Sequence, residues 1–202
     1  MLRLLFSLTS RFLFIALLQD KECLASINQD NFRQHSEKFF PALQQILTKT
    51  GYSLKDIKEV YFTDLPGSQT GQRISLAFTL TLKVLNSQLK VYHLNSLFFQ
   101  AGESKAVSLI SIDLKKTKYQ LAVYQKIKCL IEPRMVESKK LTKIKKQFSG
   151  FTIYEDFCQI SGSEPGQTNS ETKHIQPVNF LINFQKLFPY FQLLELKLSN
   201  TL

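Results

Sequence analysis

His35, His93 and His174 are the only imidazoles in the 202 residues, and nucleophilic catalysis needs a base held beside its nucleophile. None of the three lies in a catalytic motif. His35-Ser36-Glu37 carries half of a zinc signature, but H-E-x-x-H requires a second histidine one turn further on and none follows. The sequence therefore predicts a structural His35 that caps or orients the first helix. Gly67-Ser68-Gln69-Thr70-Gly71 lies between a predicted strand and a predicted helix, the order of many phosphate-handling loops. It is neither G-x-S-x-G nor a Walker A loop, because Gln72 stands where the latter needs Lys. Asp20, Asp64 and Asp113 sit in or beside predicted turns and form no carboxylate pair in the sequence. Cys23, Cys129 and Cys158 are odd in number, widely spaced and without C-x-x-C, which argues against a disulfide framework or a zinc knuckle and for a reducing compartment. These residues predict no catalytic group, no metal and no cofactor.

The second chemical signal is charge. Lys and Arg number 26 against 16 Asp and Glu, a formal net charge of +10. Between residues 126 and 146 stand Lys126, Lys128, Arg134, Lys139, Lys140, Lys143, Lys145 and Lys146, opposed only by Glu132 and Glu137. Such a run suits an RNA phosphate backbone, with salt-sensitive affinity, and Lys139, Lys140, Lys143, Lys145 and Lys146 are the candidate contacts. No aromatic residue is interleaved for base stacking, so sequence-specific reading is not expected. A solvated charged face is the commoner source of such a run.

These residues need elements to position them. The opening MLRLLFSLTSRFLFIALL has a leader-like start, but Arg11 interrupts it and no apolar run approaches the ~20 residues of a membrane span. The pattern instead predicts strands at 2–6 and 12–18, with a third at 23–27 completing a meander, and a cytoplasmic protein. Apolar residues at Phe39, Phe40, Leu43, Ile46 and Leu47 predict a helix over 34–49, with Pro41 in its first turn and Gly51 closing it. A strand over 57–63 leads into the glycine loop.

The helix from about Thr70 to Leu85 is unusual. Ser75, Thr79 and Lys83 recur every four positions as one narrow polar stripe, while Ile74, Leu76, Ala77, Phe78, Leu80, Leu82, Val84 and Leu85 are apolar. Such a helix needs cover on more than one side, from a second domain of the same chain or from a partner protein. Beyond it the pattern predicts a strand at 89–92, a short helix at 95–100 with Asn95 as N-cap, a boundary at 102–105, an antiparallel pair at 106–113 and 118–124, a strand at 151–154, a loop at 161–172 and a helix at 178–188 stopped by Pro189.

Several of these pieces resemble one family, the bacterial TsaB (YeaZ) proteins of tRNA threonylcarbamoyladenosine (t6A) biosynthesis. Leu4 to Leu18 resembles that family's opening I-L-A-I-D-T-S and the A-L-L strand after it. Arg33-Gln34-His35-Ser36-Glu37 with Pro41 is similar to its R-Q-H-S-E, and Pro66-Gly67-Ser68-Gln69-Thr70-Gly71-Gln72-Arg73-Ile74 to its P-G-S-F-T-G-L-R-I-G. Val91 to Leu97 and Ile112-Asp113-Leu114-Lys115-Lys116 resemble its V-x-S-L and I-D-A-R-R. The likeness covers residues 2 to 124, and the C-terminal third matches poorly. Leu8 stands in place of the opening's Asp, which removes a carboxylate and makes nucleotide hydrolysis by this chain still less expected.

The resemblance implies an α/β fold of two RNase H-like (actin-like, ASKHA) domains with mixed sheets and helices, the second reduced. The expected limits are 1–102, carrying the partner-binding helices, and 103–202, carrying the basic segment 126–146, with the C-terminal helix able to pack back on the first. It implies a non-catalytic subunit that joins a TsaD-like enzyme in a helical-bundle heterodimer, a TsaE-like ATPase as third component, and tRNA met within the complex. Its interface helices fall on 34–49 and 70–85. The candidate partner-binding residues are then Phe39, Leu43, Leu47, Ile74, Ala77, Phe78 and Thr81. Pro66, Gly67, Ser68, Thr70, Gly71 and Arg73 form the family loop. Alternatively, the chain is a basic RNA-binding module using 126–146. The same helices could pair with a second copy when the partner is absent, and the sequence does not decide the homo-oligomeric state.

Overall fold

The computed structural model describes residues 1–31, 34–160 and 175–194. The loop expected at 161–172, His174 and Arg33 lie outside the described residues. The described residues divide into two compact units, one built from 1–94 together with 188–194, the other from those between 95 and 187. The division therefore falls before the short helix at 96–101, not at the polar 102–105 stretch, because that helix packs on the strands that follow it.

In the first unit β1 (Leu2–Ser7), β2 (Phe12–Gln19) and β3 (Glu22–Asp30) form an antiparallel meander. Helix α1 (His35–Thr50) then crosses to β4 (Glu59–Asp64), which pairs parallel to β1. After α2 (Gln69–Leu85) comes β5 (Lys90–Asn95), and the six strands of the sheet are completed by β12 (Gln192–Leu193), antiparallel to β5. Helix α1 begins at His35, six residues before Pro41, so the proline lies inside the helix and not in its first turn as expected. Pro41 is exposed and has no N–H to donate to the Glu37 carbonyl one turn back. Gly51 closes the helix at φ 73°, donating its N–H to Leu47 O at 2.9 Å, the left-handed cap the sequence predicts.

The core of this unit lies between the sheet and α1 and α2. Leu4, Phe6, Leu13, Ile15 and Leu17 face Phe39, Leu43, Ile46, Leu47, Phe78 and Leu82. Phe6 is its hub, with ring centroids 5.4 Å from Phe39, 5.6 Å from Phe62 and 5.9 Å from Phe78. Residues 188–194 provide further packing: Tyr61 contacts the rings of Tyr92, Phe188 and Phe191, and the guanidinium of Arg3 lies over Phe188 while pairing with Glu59 at 2.8 Å.

The second unit repeats the plan. After α3 (Ser96–Ala101), strands β6 (Lys105–Ser111), β7 (Lys118–Gln125) and β8 (Lys128–Glu137) form an antiparallel meander, α4 (Ser138–Gln147) crosses over, and β9 (Thr152–Glu155) pairs parallel to β6. Where the first unit continues into α2, this one turns into β10 (Cys158–Ile160) and β11 (Ile175–Pro177), then α5 (Phe180–Leu187). Among the described residues it has no counterpart of the long second helix. Leu141 and Ile144 of α4 pack on Val107, Leu109, Leu121 and Val123. Phe180 and Phe184 of α5 pack on Phe99, so this helix belongs to the second unit and only the segment after it joins the first. Gln100 is fully buried and satisfied, donating to Ser108 Oγ and Leu109 O and accepting from Phe157 N.

Candidate functional site

The glycine loop is clamped onto the end of β1. Ser68 donates its N–H to Thr9 O at 2.8 Å, and its hydroxyl caps α2 by accepting from Gly71 N at 3.1 Å. A Cβ on Gly67 would run into the backbone carbonyl of Thr9, and one on Gly71 into that of Leu8. The glycines of the family loop are thus explained by close approach of backbone to backbone. Beneath them Ser7, Thr63 and Thr9 form a buried chain of hydroxyls, at 2.7 and 2.8 Å.

Sequence reasoning missed one constellation here. Asp64, at the end of β4, accepts from Gln72 Nε2 and Leu65 N, each at 2.7 Å, and its other oxygen lies 3.1 Å from His93 Nδ1 on β5. The hydrogen bond from His93 holds the Asp64 carboxyl below the usual carboxylate range, against the opposing effect of burial. Nothing in the local sequence signals this: the three side chains come from two strands and a helix separated by up to 29 positions. The arrangement ties loop, strand and helix together. Arg73, the last residue of the loop motif, is exposed at the start of α2, whereas His35 is buried, and that burial lowers its pKa.

The polar stripe of α2 lies inward. Ser75 and Thr79 are fully buried, and each returns its hydroxyl to the carbonyl four residues back, Gly71 O at 2.9 Å and Ser75 O at 2.8 Å. Gly71, Ser75 and Thr79 let the helix sit close on the sheet, with Phe78 and Leu82 beside them. The outward stripe is consequently Arg73, Ala77, Leu80, Thr81 and Val84, at helical spacing. Val84 and Leu85 are each 66% exposed.

This rotation corrects the expected partner-facing set. Phe39, Leu43, Leu47 and Phe78 are buried in the first unit's own core, because the most apolar face of each helix covers the sheet. Ile74 is half-buried against the same core, while Ala77 and Thr81 are exposed. The residue the sequence reading passed over is Phe40, which is 53% exposed although its ring touches both Phe39 and Phe78.

The basic segment, whose fold was not legible in sequence, is an edge strand followed by a helix. Lys126, Lys128 and Arg134 are exposed on or before β8; Lys139, Lys140, Lys143 and Lys146 are exposed on α4, and Lys145 is half-buried.

The sequence model described as TsaD, tRNA N6-adenosine threonylcarbamoyltransferase, matches residues 26–144, more than half of the chain. A TsaB protein, tRNA threonylcarbamoyladenosine biosynthesis protein TsaB of Buchnera aphidicola subsp. Schizaphis graminum, is 24% identical over 143 residues, 63% of this chain and 67% of that one. The chain belongs to the TsaB (YeaZ) family. Uncharacterized protein MG208 of Mycoplasma genitalium is 30% identical over 118 residues, covering 58% of each chain. The chain thus spans little more than half of that relative and two thirds of the TsaB protein. Among solved structures, YeaZ from Pseudomonas aeruginosa superposes with a TM-score of 0.57 at 19% identity over 67% of each chain. That likeness shows that the chain shares the YeaZ fold over the superposed part. Among the described residues no helix is long and apolar enough to cross a membrane, and no three His, Cys, Asp or Glu side chains gather as metal ligands.

Proposed function

We propose that this chain is a non-catalytic partner subunit of a TsaD-like enzyme in the threonylcarbamoylation of tRNA adenosine 37, pairing with it through the outer faces of α1 and α2. The observation that carries the reading is the outward stripe of Ala77, Leu80, Thr81 and Val84 on α2, with Phe40 on α1 beside Phe78. After the sheet has been covered, both helices still present apolar and small side chains. Two helices of a partner can cover these by the ridges-into-grooves packing of a bundle.

The chemistry supports an accessory role in the same sense. The family loop spends its glycines and Ser68 on fixing α2 to β1, and Leu8 occupies the position of the family's opening carboxylate. Family membership supports the pathway, and a TsaE-like ATPase is the further component expected of it.

Reconstitution tests the reading. A TsaD-like enzyme from the same source, supplied with its activated substrate and unmodified tRNA, is expected to form t6A only when this chain is added. Equal t6A formation without the chain would contradict the proposal, as would t6A formation by the chain alone.

A further inference from the structure

Helix α4 carries a charge arrangement that its own stability does not favour. Lys139, Lys140, Lys143 and Lys146 are exposed, and Leu141 and Ile144 are buried on the opposite side against β6 and β7. At 100° per residue the four lysines share one face, and from Lys139 to Lys146 the stripe runs about 10 Å along the axis. Lys139 and Lys143 are four apart, and Lys143 stands three from both Lys140 and Lys146, spacings at which like charges repel on a helix. Lys139 and Lys140 also occupy the first turn, where no acidic residue stands and the helix dipole opposes a cation. Glu137 pairs with Lys139 at 2.7 Å, but no acidic residue occurs from Ser138 to Gly150 to offset the rest. Beside the helix, the register sets Arg134 opposite Leu121, on the sheet face that α4 covers.

We infer that this stripe, extended by Arg134, is a binding surface for the phosphate backbone of RNA. A polyanion laid along α4 relieves the repulsion that the free helix sustains. The composition distinguishes among polyanions. Protein interfaces are depleted in lysine at their centres and anchored by aromatic or apolar side chains, and here the apolar side chains of α4 are spent on its own core. The same spending removes the apolar face with which a basic helix enters a membrane surface. Phosphate contacts, in contrast, are made by lysine and arginine alone and need no anchor. The surface reads charge and not sequence, so it positions an RNA without selecting it. That the RNA is the tRNA substrate rests on the function proposed above; that it is RNA does not.

The test titrates the full chain, with no partner enzyme, against a labelled unmodified tRNA and an unrelated hairpin RNA at several salt concentrations. Both RNAs are expected to bind, with affinity falling steeply as salt rises. Lys140→Gln, Lys143→Gln and Lys146→Gln together should weaken both at least about tenfold and make the log–log salt dependence shallower by about 2 to 3. The same three positions changed to Arg should retain binding, which separates charge from folding. Lys55→Gln, Lys58→Gln and Lys90→Gln, an equal charge change at exposed sites of the first unit, should leave the salt dependence unchanged. The inference is overturned if the wild-type chain binds neither RNA, if the first-unit control loses as much, or if polyglutamate of matched charge competes as well as RNA. Failure here leaves the pairing with a TsaD-like enzyme untouched, since no enzyme is present.

Discussion

The rings of Phe40 and Phe78 meet edge to face with centroids 6.0 Å apart, yet Phe78 is 6% exposed and Phe40 53%. One aromatic contact between α1 and α2 thus spans the passage from core to surface, and it marks where the first unit stops packing against itself. The two residues should respond oppositely to truncation. Phe78→Ala, or Phe39→Ala beneath it, is expected to cost about 3–5 kcal/mol in denaturant unfolding, the value for emptying a buried aromatic site. Phe40→Ala should change stability by no more than about 1 kcal/mol and instead weaken association with the partner enzyme.

The glycines of the family loop separate two kinds of glycine requirement. Gly71→Ala sets a methyl against the Leu8 carbonyl and must push α2 away from β1, an expected loss of roughly 1–3 kcal/mol. Gly51→Ala meets nothing within 4 Å, so its cost is only that of a left-handed backbone, about 1–2 kcal/mol. Thermal unfolding measures both. The crystal structures of the two variants distinguish them, because α2 should shift only in the first.

Asp64 gives a pH dependence of known sign. Its carboxyl titrates below the ordinary value of 3.8 because the folded state supplies His93, with Leu65 N and Gln72 adding to the effect. A depressed carboxylate contributes stability that is present above its unfolded pKa and lost as pH falls through the folded one. Asp64→Asn should therefore destabilise the protein by roughly 1–3 kcal/mol near neutral pH. The difference from wild type should shrink once the pH falls below 3.8. Urea unfolding at pH 7 and at successively lower pH checks this, and a difference constant with pH would contradict it.

His35 supplies a second, separable dependence. Burial lowers its pKa from 6.5, although Ser10 and Phe12 backbone groups act the other way. The unfolded chain therefore binds the proton more readily, and stability should decline as pH drops below 6.5 towards the folded value. His35→Gln should flatten that part of the profile while leaving the more acidic Asp64 transition in place.

Much of this fold could be read from residues one at a time. The meander at the N-terminus follows from two apolar runs broken at Ser7–Arg11, and Gly51 as a helix stop follows from backbone sterics. What could not be read is rotation. Ser75 and Thr79 look like a solvent-facing stripe only when their hydroxyls are assumed to seek water. On α2 they bond carbonyls of their own helix and go inward, which turns Ala77, Leu80, Thr81 and Val84 outward. The same ambiguity misassigned Phe39, Leu43, Leu47 and Phe78 to the partner, since an apolar face by itself does not say what covers it. The Asp64–His93 pair was illegible because tertiary pairing of β4 and β5, not sequence proximity, brings it together. In the second half the β8–α4 arrangement was hidden by charge, for only Leu141 and Ile144 mark the inner face of α4.

The claim that the outer face of α1 and α2 receives a TsaD-like enzyme is tested most directly by the mass in solution of an equimolar mixture of the two proteins. The wild-type chain should give a species of one copy of each. Ala77→Lys with Thr81→Arg, both on exposed positions that leave the core untouched, should give the two separate masses while the variant's own melting temperature stays within a few degrees of wild type. A heterodimer that forms undiminished with the doubly substituted helix, or separate masses for the wild-type pair, would contradict the account.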